Sequence, residues 1–161
     1  MRLFAAIFSV LFGITAGFIA WARGAPARQL AALERDAHIE PLDVVFQDLD
    51  CGPRHTHVGI VLLENGERLV WEADGAVTAT PLADWVARTR GNVSVYRFDE
   101  EMLTSADDIA REIRNLKHHR LTSAELITSA IKRATATTLT APEPSPDDLA
   151  ESPHLRLLVQ K

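Results

Sequence analysis

His57 and Glu72 are the residues whose types and spacing most directly suggest chemistry. An imidazole beside a carboxylate is the base-and-orienter half of a nucleophilic site. The ring takes and returns a proton while the carboxylate fixes its tautomer and orientation. The two fall on consecutive strand-like runs, His57-Val58-Gly59-Ile60-Val61-Leu62-Leu63 and Arg68-Leu69-Val70-Trp71-Glu72-Ala73, joined by Glu64-Asn65-Gly66-Glu67. Asn-Gly readily takes the positive φ angles of a tight hairpin turn. Counting outward from that turn puts His57 and Glu72 within a residue or two of level. Spacing alone favours a solvated surface pair; the surrounding chain is what argues for a site.

Other groups compete for a chemical role. Cys51, the only cysteine, lies six residues before His57 on a loop between two strands that should be neighbours, which makes it an alternative nucleophile. A free cysteine is more often a small buried hydrophobe. His55 and His57 alternate along one strand, and His118-His119 could approach them, so a few imidazoles with Glu72 could hold a transition metal. Their spacing matches no standard metalloenzyme signature, and no metal or other cofactor is expected. Asp48 and Asp50 read as loop carboxylates that bond nearby backbone amides. Phe46, Trp71 and Trp85 read as core aromatics, with Trp71 facing away from Glu72 by strand alternation.

The elements that must position these groups follow from periodicity and turn chemistry. Residues 28–38 have apolar residues at helical spacing amid charges, and 42–47 read as a strand leading to the hairpin. Pro81 suits the first turn of a helix running to about Thr89, with Thr80 as its N-cap. Val93 to Phe98 is a strand that would close a small sheet. Ser105 to Leu116 and Thr122 to Arg133 are helices, and residues 134–140 a Thr/Ala loop. Thr122-Ser123-Ala124-Glu125 has the form of a capping box, which by itself accounts for those residues. Pro142-Glu143-Pro144 is an extended connector, and Ser145 caps a last short helix with Pro146 at its first position. The expected class is α+β, with a small antiparallel sheet and helices packed on it.

Composition bounds the answer. The chain has 161 residues and a net charge of −5, enough for one modest domain. Its one short basic run, Lys117-His118-His119-Arg120, is too little concentrated positive charge for nucleic acid to be a partner. A single cysteine excludes an intramolecular disulfide and a multi-cysteine zinc site.

The ordered set of motifs resembles the permuted papain-like hydrolases of the NlpC/P60 superfamily, in the YiiX/YebB-like group. Asp43-Val44-Val45-Phe46 is similar to that group's leading strand, followed by His57-Val58-Gly59-Ile60-Val61, Glu72-Ala73, the Pro81-Leu82 helix start and a strand containing Arg97. Ser123-Ala124-Glu125-Leu126-Ile127 resembles its Cys-Ser-Glu-Leu-Val helix start, and residues 145–153 its closing segment. The resemblance spans roughly residues 41 to 155. It implies a permuted papain-like fold and a nucleophile at the start of the late helix, where Ser123 stands in place of the family's Cys. His57 would then be base and Glu72 orienter. The stretches before His57 and before Ser123 are shorter than is usual in that group.

Residues 3–21 form an apolar run of 19 residues, near the roughly 20 needed to span a bilayer. Trp21 and Arg23 suit an interfacial anchor, whereas Ala25-Pro26-Ala27 resembles a signal-peptidase site. The expected division is therefore a signal peptide or membrane anchor over 1–27 and a domain over 28–161, exported to the periplasm or outer face. Three functions remain open. One is a hydrolase of amide or ester bonds in cell-wall peptide, isopeptide or lipid acyl substrates. The second is a catalytically silent relative that binds a ligand or protein partner at the cell envelope. The third is a structural or assembly role at the membrane, with the fold as scaffold.

Overall fold

The computed structural model describes residues 25–48, 55–89, 91–140 and 143–161. The apolar run over residues 3–21 and Cys51 lie outside the described residues. Among the described residues six strands form one antiparallel sheet: β1 (Val44–Asp48), β2 (His57–Glu64), β3 (Glu67–Ala73), β4 (Val77–Pro81), β5 (Asn92–Phe98) and β6 (Leu155–Gln160), in the spatial order β4-β3-β2-β1-β5-β6. The helices are α1 (residues 25–37), α2 (Leu82–Arg88), α3 (Glu100–Leu103), α4 (Ala106–Asn115), α5 (Ser123–Thr135) and α6 (Pro146–Ala150). The mixed α+β expectation therefore holds.

Helices cover both faces of the sheet, which is why its central strands are so apolar. Val44, Phe46, Val58, Ile60, Leu62, Trp71 and Ala73 pack with Ile109 and Ile113 of α4 and Leu126, Ile127 and Ile131 of α5. The alternate positions, Val45, Val61, Val70, Val93 and Val95, pack with Leu33 of α1 and Trp85 and Val86 of α2. The period-2 alternation of each strand divides its residues between these two cores. Trp71 does face away from Glu72, and among the described residues its Nε1 has no hydrogen-bond partner.

The hairpin follows its sequence signal. Asn65 and Gly66 have φ of 52° and 83°, the double positive φ of a type I′ turn. Gly59 is required for a different reason. A Cβ there would lie 2.3 Å from Val70 Cγ1 and 3.3 Å from Trp71 O, so the Val70 side chain already fills the space that a side chain at 59 would need.

Several elements differ from expectation. Thr80 and Pro81 belong to β4, pairing with Val70 and Leu69, so α2 begins at Leu82 and Thr80 is not its cap. Edge strand β4 tolerates a proline where a central strand would not. β5 does not close the sheet, because the C-terminal segment adds β6 outside it. The helix near the N-terminus covers residues 25–37, taking in Ala25 and Pro26. Asp43 and Arg97, both part of the motif pattern, form a two-bond ion pair at 2.7 and 2.8 Å with Asp43 fully buried. That contact raises the Arg97 pKa, chiefly through its hydrogen bond to Asp43. Their role is to lock β5 to the entry of β1.

Candidate active site

His57 opens β2 and Glu72 is the next-to-last residue of β3. Register pairs Ile60 with Trp71, so the two side chains are offset by two residues along the ladder and meet diagonally on one face. His57 Nε2 and Glu72 Oε2 are 2.6 Å apart. The sequence expectation that these two groups face each other is met in the geometry.

Helix α2 closes over the pair and supplies groups that sequence reading missed. Trp85 Nε1 donates to Glu72 Oε2 at 2.7 Å, and Arg88 donates to Glu72 Oε1. Trp85 and Arg88 are three apart and so share a helix face, which directs both at one carboxylate. Trp85 is a core aromatic, as expected, but its indole N–H is also a structural donor. Nothing in the local sequence marks Arg88, since only the packing of α2 on β3 brings it to Glu72.

Glu72 is buried, whereas the His57 side chain is about 31% exposed. Burial pushes the His57 pKa below its ordinary value, the Arg88 charge lowers it further, and Asp74 opposes the shift. The ring is therefore neutral near pH 7. Because a carboxylate only accepts, the Nε2 facing Glu72 carries the hydrogen and Nδ1 keeps the lone pair. This is the tautomer a general base needs.

Ser123 is the first residue of α5. The capping box is present, with Thr122 Oγ1 accepting from the Glu125 N–H and Glu125 accepting from the Thr122 N–H. The Ser123 hydroxyl donates to Ala73 O at 3.0 Å and accepts from Ala73 N–H at 2.8 Å. It thus takes the place of a ladder partner at the end of β3, beside the Asp74–Thr122 bridge. Ser123 and His57 line one cavity of about 370 Å³, with Thr56, Ser145 and Pro146. Among the described residues both Ser123 hydroxyl bonds go to Ala73, not to His57. A second cavity of similar volume shares His57 and Asp74 and is walled by Gln47, Thr78 and Arg88.

The other candidates lie elsewhere. His55 precedes β2, and its ring is sealed against Asp48, whose second oxygen accepts from Ser94 Oγ at 3.0 Å and Gln160 Nε2 at 2.7 Å. Asp48 is thus a buried strand carboxylate, not a loop residue bonding backbone amides. Sequence position could not show this, because two of its partners come from distant strands. His118 and His119 are exposed at the end of α4. Among the described residues no group of three or more His, Cys, Asp or Glu is placed to hold a metal ion.

No protein-family model matches the chain, and no curated protein does. Among solved structures it is similar to the crystal structure of metalloprotein YiiX from Escherichia coli O157:H7, DUF1105. The TM-score is 0.62 over 76% of this chain and 97% of that one, at 16% identity. The likeness is one of fold, and a YiiX-like arrangement is consistent with the motif order. Among the described residues no helix is long and apolar enough to cross a membrane.

Proposed function

We propose that the chain is a permuted papain-like domain of the YiiX-like group, with a hydrolase-type site for amide or ester bonds. His57 is the base, Glu72 its orienter and Ser123 the nucleophile. The observation that carries this reading is the 2.6 Å His57–Glu72 contact, braced by Trp85 and Arg88, beside a cavity that Ser123 shares.

In the reaction Ser123 Oγ attacks the substrate carbonyl carbon while its proton passes to His57 Nδ1. The tetrahedral intermediate collapses, and the leaving amine or alcohol takes that proton from His57. Water then hydrolyses the acyl-serine by the same route, returning the proton to Ser123. Glu72 holds the imidazolium that forms between steps. Before attack, the Ser123 hydroxyl must turn from Ala73 O toward His57. YiiX is described as a metalloprotein; among the described residues here no group of three or more His, Cys, Asp or Glu is placed to hold a metal ion, and the steps above are written with the chain's own side chains.

The anchoring of Ser123 on Ala73 favours a second reading, a catalytically silent domain that binds an acyl-type ligand or a protein partner through the same cavity. In either case we place the domain outside the cytoplasm, secreted or held by residues 3–21, with a cell-wall peptide, isopeptide or lipid acyl ligand. Treating the full chain with a fluorophosphonate, and separately with a thiol-reactive epoxide, decides between the readings. Labelling at Ser123 that is lost in His57→Ala supports hydrolysis. Absence of labelling from the folded wild-type chain overturns it in favour of binding, and His57-dependent epoxide labelling of Cys51 would move the nucleophile there.

A further inference from the structure

His55 has no part in the chemistry proposed above, yet it is among the most heavily restrained side chains in the molecule. Its ring is buried, bonded through Nδ1 to Asp48, with the Phe46 ring centroid at 4.7 Å and the Tyr96 hydroxyl 3.5 Å from Nε2. Asp48 is in turn held by Ser94 of β5 and Gln160 of β6. The ring is therefore fixed to three strands at once. Its backbone N–H does something different, donating to Asp147 Oδ1 of α6 at 2.9 Å.

That second bond bears on the cavity. The next residue, Thr56, is pinned to Gln47 O through both its N–H and its hydroxyl, and His57 follows. Thr56 and His57 form one part of the cavity wall, and Ser145 and Pro146 at the start of α6 form another. His55 is the point at which these two parts are tied together, through a ring anchored in the sheet and an amide anchored in the helix.

We propose that His55 is a positioning residue for His57: its ring, held by Asp48, and its N–H, held by Asp147, set the spacing between the β2 and α6 walls of the cavity. Loosening the tie admits water around His57. The groups that face the His57 ring, Glu72 from β3, Arg88 from α2 and Asp74, are untouched by that change. The tie refines the proposed site but does not depend on turnover there.

The test is the titration midpoint of the His57 ring, followed by NMR in the full chain. Burial is the leading cause of its lowered value, so Asp147→Ala should raise the midpoint toward 6.5. Asp147→Asn keeps an oxygen acceptor for the His55 N–H and should not raise it. Loss of a negative charge alone would move the midpoint down, so the sign separates the tie from simple electrostatics. His55→Asn, whose amide can still donate to Asp48, should keep the wild-type value, while His55→Ala should raise it. Where His55→Ala fails to fold, the Asp147 pair decides. An unchanged or lower midpoint in Asp147→Ala overturns the proposal, as does an equal rise in Asp147→Asn. Because the readout needs no activity, it stands or fails apart from the fluorophosphonate result.

Discussion

His57–Glu72 and His55–Asp48 are built from the same two kinds of side chain, begin two residues apart, and serve opposite ends. In the sealed pair both side chains are under a tenth exposed, and every carboxylate oxygen is committed to a fixed donor. In the open pair the carboxylate is as deeply buried, but the imidazole keeps about a third of its surface in a cavity. Burying the carboxylate gives it firm partners; leaving the ring half-open keeps one nitrogen available. A His–carboxylate contact is therefore not evidence of chemistry by itself. The exposure of the ring makes the difference.

The sharpest way to break the comparison is to remove each carboxylate. Asp48→Ala leaves His55, Ser94 and Gln160 without their common acceptor and should cost about 3 kcal/mol of stability. Chemical denaturation of the purified chain checks this, and a loss under about 1 kcal/mol would show that water replaces the acceptor easily. Glu72→Gln keeps the shape and one acceptor oxygen, so about 1–2 kcal/mol is expected, together with loss of Ser123 labelling. If Ser123 still labels at the wild-type rate, Glu72 is as purely structural as Asp48.

Removing the rings sharpens the contrast further. His57→Ala should change stability by less than about 1 kcal/mol, because its ring is partly solvated already. A loss matching that of Asp48→Ala would erase the distinction drawn between the two pairs.

The smallest expected effect is electrostatic. Arg88→Gln removes a positive charge that lowers the His57 pKa, so the NMR midpoint should move up while remaining below 6.5 through burial. The same lowering has a stability consequence. Between the native midpoint and 6.5 the unfolded chain binds more protons at this residue than the folded one. The His57 contribution to stability is thus complete above 6.5, declines as pH falls through that window, and levels off below the native midpoint. Denaturation of wild type and His57→Ala across this range isolates it, and parallel curves would contradict the lowered pKa.

Local rules carried the parts of the fold that local physics controls. Asn65-Gly66 dictated a turn because few other dipeptides accept two positive φ angles, and period-2 alternation then brought His57 and Glu72 to one face. The capping box of Thr122 with Glu125 and the Ser145 cap were legible because each closes within three residues; the reciprocal bond from Asp148 to Ser145 was added by the structure. What was not legible joins distant parts of the chain. Gln160 meets Asp48 across 112 residues, and β6 itself is a short strand with exposed positions and little pattern of its own.

The sequence by itself determined the hairpin and the starts of the helices at Thr122 and Ser145, since hydrogen-bond geometry within a few residues leaves little choice. Only the tertiary structure decided that Arg88 and Trp85 brace Glu72, that His55 is a buried tie, and that the Ser123 hydroxyl rests on Ala73. Those outcomes depend on which faces pack together, and packing is set by the summed burial of two cores rather than by any one segment.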